Sequence, residues 1–548
     1  MTALADAVVS RLQANGVDVV FGIPGTHNLE LFRALRGAGI RVVDAHHEQG
    51  LGYAADGWSR VTGRQAVVVT TTGPGITNLV TALATSASAS VPVLAIAPGV
   101  PEAVHGRGTG WLHDLPSQVE TLATVARSCR ADSVGEATAF IDAVFDDGGV
   151  ARCGASYLEL PVDLLDGAAA GEASAASAVP DARAGSDASV PVAETDALRA
   201  AAAVMAEAAR PAIVVGRGGC GPRAARAIRE LAEALGAPVL TTSNAKGVLD
   251  EAHPLAIGVA LRLEGGRMLL ADADRVLVVG SDLGTSEFWG PCTLRDEQVV
   301  RVDIEEDGLV ANVTPEWMLR GDAERIVPAL LAEVTARTGT TGVAPELPYW
   351  AVRHLPAMAE QVEREGGSYR RFHEIMVEEI AATVPSSTEP DVVVAGDSSQ
   401  ATYLGSAYYW PLGRPNRFLY PAGYGTLGYA VPAAIGAALA GAADRVVAIT
   451  GEGGLMFSVQ ELATAARLGL AIPVVVFSNG GFREIRDGMV HRGIEPTAVD
   501  FAAPDFALLA RAFGADGERV DTAASFRDAF RRALAATGPY VIEVALRG

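Results

Sequence analysis

Hydrophobic runs rich in β-branched residues recur along this chain, each closed by a glycine-rich turn and followed by a stretch of helical spacing. The sharpest case is near the C-terminus. "RVVAIT" (445–450) runs into "GEGG", "SVQELATAARLGL" (458–470) follows, and "IPVVVFS" (472–478) runs into "NGG". Short continuous apolar runs bounded by turns read as strands buried on both faces, the signature of a parallel sheet. Parallel neighbours cannot be joined by a tight hairpin, so the strong helix formers between them must supply a crossover helix. Both turns then lie at carboxyl ends of strands, where open α/β sheets bind ligands. Each carries one hard oxygen donor among glycines, Glu452 and Asn479, 27 positions apart.

The same grammar organises the rest of the chain. Residues 1–165 alternate "VDVVFGIPG", "IRVVDAHHEQ", "QAVVVTTTGPG" and "VPVLAIAPG" with helical stretches, predicting a doubly wound sheet. Residues 166–193 are Ala/Ser/Gly/Asp-rich without periodicity and read as a linker. A second α/β unit follows at 194–340, with "PAIVVGRGG", "APVLTTSNAKG", "RVLVVGSDLG" and "QVVRVDIEE" as its strands. Residues 341–365 read as a connector, and a third unit spans 366–548. The expected fold class is α/β, with three doubly wound parallel-sheet domains of similar size that look related. The "GRGGCG" turn (216–221) suggests a dinucleotide only superficially, since a lone motif of this kind is weak.

A chain of 548 residues is too long for one core, which agrees with three domains. Its formal net charge of −22 argues against a nucleic-acid surface, which needs basic stripes. No apolar run reaches the roughly 20 residues of a membrane span. The N-terminus lacks the apolar segment of a signal peptide. Cys129, Cys153, Cys220 and Cys292 are widely spaced with no CxxC pair, as for buried thiols of a reducing compartment. A soluble, cytoplasmic protein is expected. Lys246 is the only lysine, so Schiff-base chemistry has one candidate, in what reads as an ordinary loop.

A carboxylate and an amide oxygen at neighbouring strand ends suit Mg²⁺, which takes about six oxygens and few of them from protein. The surrounding glycines let backbone N–H groups approach a phosphate. Taken alone, such turns could equally do no more than end their strands. The wider sequence decides. "GEGG…SNGGF", "FGIPGTHNLELFRAL", "HHEQGLGYAADGWSR", "TTTGPGITNLVTAL", "APVLTTSNAKGVLDEAHPLAIG" and "GYGTLGYAVPAAIGAAL" stand in an order that resembles the thiamine-diphosphate-dependent 2-oxo acid decarboxylase and acetohydroxyacid synthase superfamily. The resemblance covers nearly the whole chain. It implies a pyrimidine-binding domain, a central domain and a diphosphate-binding domain, with thiamine diphosphate and Mg²⁺ as cofactors.

Residue by residue, the resemblance makes Glu452 and Asn479 side-chain metal ligands and Gly481 a backbone-carbonyl ligand. Gly453, Gly454, Ser398 and Ser399 would contact the diphosphate. Gly425 would receive the cofactor's 4′-amino group on its carbonyl, and Leu427 would prop the cofactor into its bent shape. Glu48 would hydrogen-bond the pyrimidine N1′ and so promote formation of the reactive ylid. His27 and His113 are candidate proton relays, because imidazole titrates near neutrality, and Gln118 matches a glutamine near the reacting centre. Glu452 departs from the family's usual aspartate; its arm is longer by a C–C bond, roughly 1.5 Å.

The activity implied is non-oxidative decarboxylation of a small 2-oxo acid through an enamine, with an acetolactate synthase-like carboligase or a non-catalytic cofactor-binding relative as alternatives. "HGRGTGWLHDLPSQ" and "GSDLGTSEFW" look closest to decarboxylases of the arginine-derived 2-oxo acid. Asp282, Glu287 and Glu484 are then candidates to face a cationic tail. The central domain lacks the Arg-Phe-Asp-Asp-Arg run of FAD-binding relatives, so FAD is not expected. A homodimer or homotetramer is implied, with each site shared between two subunits.

Overall fold

The computed structural model describes residues 3–146, 154–165, 195–339, 346–383 and 390–546; the expected linker, the first five connector residues and Cys153 lie outside these. Eighteen strands among them form three six-stranded sheets, and every strand pairing is parallel. The first sheet holds β1 (Val19–Gly22), β2 (Arg41–Val43), β3 (Ala66–Val69), β4 (Val93–Gly99), β5 (Arg127–Arg130) and β6 (Ala155–Pro161), in the order β2-β1-β3-β4-β6-β5. The second holds β7 (Pro211–Val215), β8 (Val239–Thr241), β9 (Ala256–Gly258), β10 (Arg275–Val279), β11 (Val299–Asp303) and β12 (Trp317–Arg320), ordered β12-β11-β10-β7-β8-β9. The third holds β13 (Val392–Gly396), β14 (Phe418–Leu419), β15 (Arg445–Gly451), β16 (Pro473–Ser478), β17 (Asp516–Val520) and β18 (Tyr540–Ala545), ordered β14-β13-β15-β16-β18-β17.

The α/β expectation is therefore met, with one refinement. The first and third sheets share one strand order, whereas the middle sheet follows the dinucleotide-fold order read from its sixth strand to its third. In that middle sheet the turns after β7 and β10 close on each other. Gly218 N donates to Gly280 O at 3.1 Å, and a Cβ on Gly216 would lie 2.2 Å from the same oxygen. The glycines of "GRGGCG" thus serve a backbone-to-backbone contact. The stretch read as a connector carries its own structure, because the 27-residue helix Leu355–Ala381 begins inside it.

Two helices join the outer domains. The helix α1 (Glu48–Thr62) follows β2, and α2 (Ala430–Ala440) follows the "GTLG" turn. They are rich in alanine and glycine, and they meet backbone to backbone. A Cβ on Gly436 would stand 1.8 Å from Ala54 O, and one on Gly57 2.2 Å from Ala433 O. One apolar cluster runs through this contact, from Leu51, Ala55 and Trp58 to Ile435, Val446 and Val474. Polar pins cross it as well. Tyr53 and Thr426 hydroxyls lie 2.6 Å apart, and Asp56 accepts from Tyr429 at 2.5 Å, Ser86 at 2.9 Å and the buried Arg60 at 2.6 Å. Arg60 also donates to Asn244 of the central domain at 2.8 Å, so all three domains meet at one ion pair.

Lys246 is not an ordinary loop residue. It is buried, pairs with Glu251 at 2.5 and 2.7 Å and donates to Ala407 O at 3.0 Å, clamping the central domain to the third. All three ammonium protons are in use. The described cysteines, Cys129, Cys220 and Cys292, are unpaired. No helix among the described residues is long and apolar enough to cross a membrane.

Because the α1–α2 contact leaves no room for a side chain, Gly436→Val should destabilise the protein by about 1–3 kcal/mol or more. A urea unfolding midpoint equal to that of the parent would show that the helices can part without cost.

Candidate active site

The third sheet reverses its direction of winding between β13 and β15, and the crevice above such a switch point is where a ligand fits. The turns after β13, β15 and β16 wall a cavity of about 500 Å³ there. Ser398, Ser399, Gly425, Leu427, Glu452, Gly453, Gly454, Asn479, Gly481 and Glu484 all line it. Every residue assigned from sequence to the metal and diphosphate is thus brought into one space.

Glu452 is 1 % exposed, and its Oε1 accepts the backbone N–H groups of Asn479 at 2.9 Å, Gly480 at 2.7 Å and Gly481 at 2.8 Å. The carboxylate therefore braces the "SNGG" turn against the "GEGG" turn, and Oε2 is not needed for that brace. Asn479 Oδ1 is buried and has no hydrogen-bond partner, although a buried polar atom is normally satisfied. Gly481 sits at φ +136, where a Cβ would strike Val499 O at 2.1 Å. A Cβ on Gly454 would lie 2.5 Å from Asp397 Oδ2, and one on Gly453 2.6 Å from the Phe482 ring. An orphaned oxygen beside a carboxylate, in a cavity lined by Gly453, Gly454 and Gly481, fits a divalent ion carrying a phosphate group. No cluster of three or more His, Cys, Asp or Glu side chains suited to a metal occurs among the described residues.

Asp397 was missed from sequence. It is 1 % exposed, accepts Tyr429 N at 3.0 Å and the Thr450 hydroxyl at 2.9 Å, and burial pushes its carboxyl up to about 6. It ties the "GTLG" turn to β15. Its place in "GDSSQ", between the strand and two candidate serines, was the available signal. Beyond it, a π-helix over Ala401–Ser406 turns Tyr403 toward the cavity. Extra turns of this kind favour functional sites. Buried His373 holds this turn through Ser406 at 2.9 Å; it is stacked on Phe477, and burial lowers it to about 4.

Of the three acidic candidates for a substrate tail, only Glu484 lines the cavity. It lies in the first turn of the helix α3 (Arg483–His491) and accepts from Tyr403 and Gln400, both at 2.9 Å. Both donors are neutral, and no described cation pairs with this carboxylate. The neighbouring Arg483 pairs instead with Asp487, one turn further along α3. Glu287 turns into its own domain, accepting from Ser243 N at 3.1 Å, and burial raises its pKa. Asp282 lies outside the cavity lining.

The remaining candidates form a second cluster, at the carboxyl ends of the first sheet. Glu48 is the first residue of α1, half-buried, and accepts from Asn78 at 3.1 Å. The His27 and His113 rings meet edge to face at 5.4 Å, and His113 Nδ1 is buried without a partner. Gln118 sits behind them with its amide committed. Its Oε1 accepts Gly73 N at 2.8 Å, and its Nε2 donates to Tyr157 at 2.6 Å and Pro98 O at 3.0 Å. The same Gly73 packs against His113. Within a protomer Gln118 therefore positions the His113 loop. No residue of the first domain lines the large cavity, so one chain keeps the two clusters apart.

Three domain descriptions match the chain: Thiamine pyrophosphate enzyme, N-terminal TPP binding domain at residues 2–121, central domain at 198–330 and C-terminal TPP binding domain at 397–544. The chain belongs to the thiamine pyrophosphate (thiamine diphosphate) enzyme family. Over 519 residues it is 36 % identical to the "Probable 2-ketoarginine decarboxylase AruI" of Pseudomonas aeruginosa, covering 94 % of this chain and 89 % of that one. It is 27 % identical to a "Probable acetolactate synthase large subunit" of Methanocaldococcus jannaschii, covering 99 % and 91 %. It is 29 % identical to the "Acetolactate synthase isozyme 1 large subunit" of Escherichia coli, covering 89 % and 83 %.

The raised Asp397 pKa gives a signed prediction. A buried acid that binds its proton more tightly when folded lowers stability as pH rises from its unfolded value near 4 through about 6. Asp397→Asn should remove that loss, on the order of 2–3 kcal/mol. Urea midpoints between pH 4 and 7 should fall for the parent relative to the variant; parallel curves would show that Asp397 does not titrate there.

Proposed function

We propose that this protein is a thiamine diphosphate- and Mg²⁺-dependent decarboxylase of a 2-oxo acid whose far end carries a cation, a guanidinium in the first instance. Glu484 carries the reading. A carboxylate lining the cavity, held only by neutral donors and without a described counter-ion, matches a cationic partner. The net charge of −22 would draw such substrates at long range. The printed name of the Pseudomonas relative agrees with this chemistry.

Thiamine diphosphate, when bound, supplies the electron sink that decarboxylation of a 2-oxo acid requires. Asn479 Oδ1, the Gly481 carbonyl and Glu452 would hold the Mg²⁺. The longer glutamate suits this chain because one of its oxygens already braces the opposite turn. Ser398, Ser399, Gly453 and Gly454 would bind the diphosphate, Leu427 would fill space beneath the thiazolium, and the Gly425 carbonyl would accept from the 4′-amino group. Glu48 would exchange a proton with the pyrimidine N1′. In one protomer Glu48 stands outside the cavity, which supports a homo-oligomer in which a second copy brings it in. His27 and His113, in ring contact, would carry the proton that releases the aldehyde. The acetolactate synthase relatives support a second reading, in which the same site joins the intermediate to another carbonyl.

Purified protein given thiamine diphosphate, Mg²⁺ and a panel of 2-oxo acids should turn over the 5-guanidino acid with the highest kcat/KM and yield the aldehyde by mass spectrometry. Chelation should abolish turnover. Glu484→Gln should lower kcat/KM for the guanidino acid by about 10- to 100-fold, the worth of a charge-assisted pair of 1.5–3 kcal/mol. Acyloin as the main product would favour the carboligase. A neutral acid preferred by parent and variant alike would refute the cationic substrate.

A further inference from the structure

Trp289 comes from the central domain yet lines the cavity of the third. Its backbone is left-handed, with φ 50 and ψ 37, a conformation that a bulky side chain adopts only when its surroundings impose it. Leu283 in the same loop is also left-handed, at φ 54. The loop therefore holds an unfavourable backbone and in return delivers an indole to the cavity. The residue is 51 % exposed.

Its neighbours fix its orientation. The guanidinium of Arg262, a residue only 7 % exposed, lies 4.5 Å from the Trp289 ring centre and 5.1 Å from that of Tyr408. Arg262 is itself anchored to Glu365 at 2.6 Å and to the Tyr408 hydroxyl at 2.7 Å. On its cavity side the indole meets Tyr403 edge to face at 5.4 Å, and Tyr403 donates to Glu484. A half-exposed aromatic wall thus stands one side chain away from a carboxylate without a cation.

We infer that Trp289 is a specificity-determining residue, forming with Glu484 a subsite for a planar organic cation at the far end of the substrate. The inference rests on the substrate reading above and adds a residue and a second source of selectivity. Glu484 supplies charge, which any cation could use. The indole supplies a π surface, which favours a flat, weakly hydrated guanidinium over a compact ammonium. The Arg262 stack helps to hold the ring in place, and Trp289 remains 51 % exposed.

The test separates this inference from the activity by using a ligand that cannot react. 1-Butylguanidinium and its neutral isostere butylurea are titrated calorimetrically into the holoenzyme. The parent should bind the guanidinium at least about tenfold more tightly than the urea. Trp289→Gly, which suits the left-handed backbone and so should fold, should lose about tenfold of the guanidinium affinity and much less of the urea affinity; Trp289→Phe should recover most of it. Equal binding by parent and glycine variant, or equal losses for both ligands, would overturn the inference. If 1-butylguanidinium binds as expected but the guanidino acid is not turned over, the subsite stands and the substrate reading falls.

Discussion

One carboxylate oxygen receives three backbone N–H groups in this protein, and the arrangement of the site follows from that contact. Glu452 Oε1 closes the distance between the turns after β15 and β16. Hydrogen bonds to an ionised acceptor inside a protein are stronger than neutral ones, and three converging on one buried oxygen leave the "SNGG" turn little freedom. The turn is then pinned from outside, where Phe482 N donates to Val499 O at 2.8 Å and Gly481 pairs with Asp500. The next residues open α3 and place Glu484 over the cavity. The brace therefore sets both ends of the site, the orphaned Asn479 oxygen at one and the uncompensated carboxylate at the other.

The shared strand order of the outer sheets explains how the remaining work is divided. Each offers a crevice at its switch point. In the third sheet the crevice is filled with glycines, amides and oxygen donors. In the first it is filled with Glu48, two histidines and the amide that supports them. Helices α1 and α2 pack through glycine and alanine, so the two crevices are fixed with respect to each other in one chain. The middle sheet, whose own crevice is closed by glycine contact, contributes instead the strained loop that carries Trp289.

Much of this was legible in the sequence. Buried parallel strands announce themselves by continuous β-branched runs, and the order of the Gly-rich motifs at their ends carries the family resemblance that placed Glu452, Asn479, Gly453 and Gly454 in the cavity. What stayed hidden depended on side-chain direction. Asp282, Glu287 and Glu484 look alike in sequence, yet Glu287 turns to Ser243 and only Glu484 enters the cavity. Gln118 and Lys246 carry polar groups held by neighbours, most of them distant in sequence. Asp397 and Trp289 were inside quoted motifs, but a buried carboxyl and a left-handed tryptophan are properties of the packed chain. No periodicity reports them.

The central claim is that the catalytic apparatus is split, with Glu48 of one copy serving the cradle built around Glu452 of another. Mixing two inactive variants tests it directly. Glu48→Gln and Glu452→Ala, each inactive alone, are co-expressed with different affinity tags, and the doubly tagged oligomer is assayed on its accepted 2-oxo acid. If sites are shared across a two-fold interface, every mixed pair contains one site with both residues intact, and activity should return to about half that of the doubly tagged parent. If each chain builds its own site, every site in the mixture lacks one residue, and an inactive mixed oligomer would contradict the account.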